Sequence, residues 1–308
     1  MFMKADGSFK VILAALIGNG LISIAKFGGA LYTGSSAMFS EGVHSLVDTS
    51  NQGLLLYGMK RSKKPADARH PFGYGGEIYF WAFVVAVLIF AGGAGFSIYE
   101  GIHKLQHPEP ITNVFVNYII LGLALVFEGV AWYVAYKEFN KGRGEVGYVT
   151  AIRASKDPRI FTVLLEDTGA MLGLLIALAG IAIADYTGLT WVDGATSITI
   201  GVILAGIAVV LCIECKGLLI GESAAPEIVE NIKASLGDIS EVATVNEVLT
   251  VHFGPEDILV NISLDFKSGL STGSIETTVT EVEKRLKAAE PHIKRVFIEV
   301  QDKVEHSA

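Results

Sequence analysis

Six stretches of the chain, at about 10–33, 36–59, 78–103, 112–136, 160–184 and 191–215, are each apolar over the roughly twenty residues a helix needs to cross the hydrocarbon core of a bilayer. Gly/Ser or Pro punctuation separates several of them, as TGSS at 33–36, HPEP at 107–110 and DYTG at 185–188. With 51% hydrophobic and only 18% charged residues, the 308-residue chain is too apolar for a soluble protein of its length. The opening MFMKADGSFK is too short and too weakly basic for a transit peptide. The apolar run after it is too long for a signal-peptide core, so it reads as the first spanning helix.

Lys and Arg set the expected orientation. The connection after the second stretch carries Lys60, Arg61, Lys63, Lys64 and Arg69, and the one after the fourth carries Lys137, Lys141, Arg143, Arg153, Lys156 and Arg159. The turns after the first and fifth carry none, and the third connection has only Lys104 near its boundary. Basic connections stay in the cytosol, so six spans put both termini there too, and a bacterial inner membrane is the expected location. The formal net charge of −8 argues against a nucleic-acid partner. Cys212 and Cys215 provide no disulfide framework and read as small residues near the end of an apolar helix, with metal binding by this C-x-x-C as the alternative.

From about Ser223 the character turns polar. Residues 226–237 read as a helix, with Pro226 suited to a first turn. EVLTVHF and DILVNISLDFK alternate as half-buried strands, SIETTVTEVEKRLKAA (274–289) places Ile275, Val279, Val282 and Leu286 on one helical face, and RVFIEV closes as a strand. The order α-β-β-α-β predicts a small ferredoxin-like α+β domain. The expected fold is therefore a six-helix transmembrane transport domain over 1–220 and a cytosolic α+β dimerisation domain over 221–308. About eighty residues is small for independent stability, which points to a homodimer through that domain.

Ionisable residues inside the apolar stretches point to chemistry, because at membrane depth they usually face a cavity, a partner or an ion. His44 and Asp48 are four apart, so on a helix they share a face. Glu166 and Asp167 lie at a similar depth in the fifth stretch, three and four beyond Val163, so both can flank one stripe. Imidazole and carboxylate suit zinc and its neighbours, which take four ligands in tetrahedral array. A helix–helix hydrogen bond is the structural alternative for His44 and Asp48. Lys26 is expected to snorkel or to pair with Glu100, Glu128 or Asp193, acids that read as structural groups near the interfaces.

With SEGVHSLVDTSNQ, PADARHPFGYGGEIYF, LLEDT and HFGPEDILVN in place, nearly the whole chain resembles the cation diffusion facilitator family of metal/proton antiporters, in the branch that includes a mitochondrial zinc transporter. The resemblance implies a four-ligand intramembrane site on the second and fifth helices. His44, Asp48 and Asp167 match it, while Val163 stands where the family has His or Asp. Glu166 is the expected replacement, with water as the competing fourth ligand. The family's loop site, Asp-x-x-His-x-x-x-His, is matched by Asp67 and His70 but has Tyr74 in third place, so it is expected to be weak or a structured turn. Asn246, Ser263 and Glu299 stand where relatives often carry His, and His252 and His292 read as exposed.

The expected activity is proton-coupled efflux of a divalent transition metal from the cytosol by alternating access. Zn2+ is the first choice, and the extra carboxylate keeps Mn2+, Fe2+ and Co2+ open. Ligands must be deprotonated to take metal, and His44, with an ordinary pKa near 6.5, is the expected proton-coupled member. A passive metal channel or a non-transporting metal-binding membrane protein is the rival reading. No H-E-x-x-H or similar metal-plus-base signature supports an enzyme.

Overall fold

A computed structural model describes residues 5–144 and 146–303. The expectation of cytosolic termini bears on residues 1–4 and 304–308 and lies outside the described residues. The chain divides into two compact units: one holds the chain up to Met59 and Phe80–Cys215, the other Lys60–Tyr79 and Lys216 onward.

Long helices occupy every apolar stretch in the first unit. These are α1 (Ala5–Thr33), α2 (Ser36–Ser62), α3 (Glu77–Leu88) running through a π-helical turn at Ile89–Gly95 into α4 (Phe96–Gln106), α5 (Val114–Arg143), α7 (Pro158–Thr187) and α8 (Trp191–Ile220), with a short α6 (Tyr148–Ala154). Among the described residues, four helices are long and apolar enough to cross a membrane: Glu77–Gln106, Val114–Lys141, Pro158–Thr187 and Trp191–Ile220. The 27-residue α2 has the length but carries a polar stripe on its buried face.

Local chemistry sets the helix ends. Gly34 takes a φ of +72° after α1, a left-handed conformation in which a Cβ would be strained. Asp157 caps α7 by accepting the Arg159 N–H, and Pro158 fits the first turn, where no N–H is needed. Neighbouring helices approach to backbone contact through small residues. A Cβ on Gly101 of α4 would stand 2.6 Å from the Gly194 carbonyl of α8, and one on Gly201 of α8 would stand 3.0 Å from the Ala94 carbonyl. Asp193 of α8 organises the start of α2: it accepts the Ser36 N–H (2.6 Å), the Ala37 N–H (3.2 Å) and the Ser35 and Ser36 hydroxyls. A buried carboxylate satisfying a helix N-terminus is a structural role, as its sequence position suggests.

The second unit follows the expected order: α9 (Pro226–Gly237), β1 (Val242–Gly254), β2 (Asp257–Phe266), α10 (Thr272–Ala289) and β3 (Ile293–Val300). β1 and β2 pair antiparallel, and α10 carries the chain over so that β3 pairs parallel to β2. Alternation in β2 sends Ile258, Val260, Ile262 and Leu264 into one core with Ile232 and Leu236 of α9 and Val282 and Leu286 of α10. β1 begins at Val242, ahead of the EVLTVHF alternation, because register shifts at 242/244 and 245/247 extend its pairing. α10 starts at Thr272 with Ser271 as its cap, one turn before the expected Ser274.

The 60–79 connection belongs to this unit. Phe72 stacks on Phe253 at 4.8 Å with nearly parallel rings, Arg295 lies over Phe72, and a Cβ on Gly75 would come within 2.4 Å of the Phe253 carbonyl.

Replacing Asp193 with Ala orphans the first donors of α2. It is expected to lower stability in detergent by about 2 kcal/mol, with Asp193→Asn losing less because its amide oxygen still accepts. Equilibrium unfolding of purified variants checks this, and an unshifted Asp193→Ala curve refutes the role.

Candidate metal centre

Spacings of three and four residues on α2 bring Glu41, His44, Ser45, Asp48 and Asn51 onto one buried face. Facing groups come from three other helices. Glu166 of α7 is buried and its neighbour Asp167 half-buried, Glu128 of α5 is buried, and Lys26 of α1 is fully enclosed. Ionisable groups on four helices thus meet inside one helical unit.

At the inner level, the Asn51 amide donates to Glu166 Oε1 at 2.6 Å. The Glu166 carboxyl also lies within reach of Asp48, whose other electrostatic neighbours are Glu128 and Asp167. His44 Nδ1 stands 3.5 Å from Asp48 Oδ1, too long for a good hydrogen bond. Both His44 ring nitrogens and Asp48 Oδ1 are buried without a hydrogen-bond partner. Buried polar atoms normally find partners, so orphaned nitrogen and oxygen atoms on one stripe make His44 and Asp48 candidate ligands. Three or more His, Cys, Asp or Glu side chains nowhere converge with metal-holding geometry among the described residues. Val163, half-buried one turn before Asp167, supplies no ligand atom.

Asn51 was not singled out in the sequence, although it lies seven beyond His44 and three beyond Asp48, on their own stripe. Lys26 departs from expectation. Its ammonium donates to Glu41 Oε2 (3.0 Å) and Ser45 Oγ (2.7 Å), because α1 lies against the N-terminal half of α2. Glu128 also departs: it is buried rather than reaching interfacial water, and it feels both Lys26 and Glu41.

The 60–79 connection is organised by Asp67. One carboxylate oxygen accepts the Arg69 and His70 N–H groups, and the other accepts the Tyr74 hydroxyl (2.7 Å) and the Lys64 ammonium (3.3 Å). These bonds, the Tyr74 hydroxyl foremost and then the His70 amide, hold the Asp67 carboxyl well below the usual carboxylate range. The Tyr74 and Asp67 contacts in turn raise Lys64 above its ordinary value. His70 lies 3.6 Å from Asp67 and packs on the Tyr74 ring, so in-loop donors already engage both oxygens of Asp67.

In the α+β unit, His252 is buried rather than exposed, with Nδ1 3.1 Å from the Gly254 carbonyl, whereas His292 is exposed and pairs with Glu290. Asn246 donates to Ser263 Oγ and to the Gln301 carbonyl. Cys215 is buried and Cys212 partly so, both as free thiols on α8.

Residues 12–220 match the family described as "Cation efflux transmembrane domain". The "Proton-coupled zinc antiporter SLC30A9, mitochondrial" of Homo sapiens is 34% identical over 276 residues, 89% of this chain and 48% of that protein. "Metal tolerance protein C4" of Arabidopsis thaliana is 30% identical over 84% of this chain and 57% of its own length. "Manganese efflux system protein MneP" of Bacillus subtilis is 25% identical over 95% of both chains. The chain spans about half the length of the first two relatives.

The depressed Asp67 carboxyl stabilises the connection in full above about pH 4, and that contribution is lost as pH falls through the lower folded value. Asp67→Ala is therefore expected to speed amide hydrogen exchange over residues 64–74 at about pH 7 and about pH 5 alike. Unchanged exchange at both removes Asp67 as the organiser.

Proposed function

The chain belongs to the cation efflux family, whose members are transporters and not enzymes, and we propose that it exports a divalent transition-metal cation from the cytosol in exchange for protons. The observation that carries this reading is the set of orphaned ligand atoms on His44 and Asp48, buried beside the Glu166–Asp167 doublet of a second helix. A proton-coupled zinc antiporter and a manganese efflux protein among the relatives agree with it.

In this reading His44, Asp48 and Asp167 bind the metal substrate, with Glu166 as fourth ligand in competition with water. Imidazole plus carboxylate favours Zn2+, and the surplus of carboxylates leaves Mn2+, Fe2+ and Co2+ within reach. Loading requires Glu166 to turn from Asn51 toward the ion. Ligands shed protons to take metal and regain them when it leaves, so a site opening alternately to each side exchanges one for the other. His44 is the proposed proton-coupled ligand.

The architecture proposed with it has six spans, α1 and α2 joining the four apolar ones. The polar face of α2 is tolerable in a bilayer because it is turned inward. Residues 1–220 form the transport domain, and 221–308 form a ferredoxin-like domain that pairs two copies. Both termini face the cytosol, in a bacterial inner membrane. Asp67 and His70 contribute at most a weak metal site, since Asp67 is committed to the loop.

In proteoliposomes, Zn2+ flux is expected to rise with an opposing proton gradient and to fall to background in Asp48→Ala and Asp167→Ala. Flux indifferent to the gradient replaces the exchanger with a channel. Glu166→Gln is expected to weaken metal binding about tenfold, as for loss of one charged ligand, while equal affinity returns the fourth place to water. His44→Asp is expected to move the pH dependence of transport, and an unmoved profile takes His44 out of proton coupling.

A further inference from the structure

α2 carries two overlapping ligand spacings. His44 and Asp48 form one of them. Glu41-Gly42-Val43-His44 is the other, the Glu-x-x-His arrangement that puts a carboxylate and an imidazole on one helical face in metal-carrying bundles. Glu41 is fully buried, its Oε1 has no hydrogen-bond partner, and both His44 nitrogens are likewise open.

Across from it, α7 has made room. A Cβ on Gly173 would lie 2.3 Å from Glu41 Oε1, so the carboxylate tip rests against the bare backbone of α7 and would have to shift for a larger residue. Gly173 lies seven residues beyond Glu166, and Glu41 seven before Asp48. With Asn51 touching Glu166 and Glu41 touching Gly173, the two helices run antiparallel. Glu41 therefore sits about 10 Å along the helix pair from the Asp48 level. The group on its other oxygen is a cation, the Lys26 ammonium, which Ser45 also holds.

We propose that Glu41 and His44 form a second cation station on the transport path, that His44 is shared between the two stations, and that Lys26 is the resident cation a metal ion displaces to reach it. This rests on the metal-transport reading above. In the described state Lys26 neutralises Glu41, which keeps a lone carboxylate from being stranded in a low-dielectric interior. It also bars the ion from moving beyond His44. As the metal advances from Asp48 to Glu41, it brings the positive charge that lets Lys26 leave, and Glu128, a buried carboxylate that already feels Lys26, receives that ammonium.

The test counts metal and then measures transport. Full-length protein in detergent is dialysed against Co2+, whose absorption reports nitrogen and oxygen ligation. With Asp48→Ala as background, so that His44 serves a single ion, Lys26→Met is expected to bind one more Co2+ per chain than Asp48→Ala alone, whereas Lys26→Arg and Lys26→Met/Glu41→Gln add none. Lys26→Gln, which keeps a donor for Ser45 without the charge, repeats the experiment if the methionine variant does not fold.

An unchanged count in the uncharged variants overturns the station. The double variant removes both members of the pair, so a purely structural ion pair predicts native transport from it. A station on the path predicts a turnover about tenfold lower at an unchanged half-saturating metal concentration, because loading at Asp48 is intact. Native turnover in the double variant removes Glu41 from the path. Asp48→Ala separates the two readings: it empties the first site, and adding Lys26→Met to it still adds an ion if the second station is real.

Discussion

Placing charge where water is absent is the constraint the helical unit is built around. A carboxylate or ammonium in a low-dielectric interior costs several kcal/mol unless something answers it. Lys26 answers Glu41, Asn51 answers Glu166, and Asp193 is answered by the N-terminus of α2. Each of these contacts joins α2 to a different helix, so the polar stripe that weakens α2 as a membrane span also fixes its place among its neighbours. His44 and Asp48 are left with open atoms, the observation on which the proposed metal site rests.

The glycines belong to the same logic. Gly173 admits the Glu41 carboxylate, while Gly101, Gly194 and Gly201 let α4 and α8 meet at backbone distance. Close packing without large side chains gives membrane helices cohesion where the hydrophobic effect supplies none. The 60–79 connection uses a different device: Asp67 gathers its own loop, and the Phe72–Phe253 stack joins that loop to the α+β fold.

Much of the fold was legible in the sequence. Helix and strand periods located the long helices and the α-β-β-α-β order, and Pro226 marked a true first turn. The misses share one cause. Asn51 is uncharged, so its residue type alone does not mark it as a partner of a buried carboxylate. Glu41 lay in plain view, but its partner is fifteen residues away on another helix. Glu128 was placed near water because a lone acid in an apolar run gives no sign of depth, and His252 was read as exposed because a single histidine gives no sign of burial. The extra length of β1 comes from bulges, which depend on the partner strand.

By itself, then, the sequence determined which segments are helices and strands, which residues along α2 share a face, and which side chains are able to hold a metal. These follow from local periodicity and side-chain chemistry, and both are written along the chain. Only the tertiary structure decided which of those side chains answer one another: Lys26 with Glu41, Asn51 with Glu166, Asp193 with the start of α2, and His44 and Asp48 with open atoms. A buried charge is settled by the nearest group in space, and that group comes from whichever helix packs there.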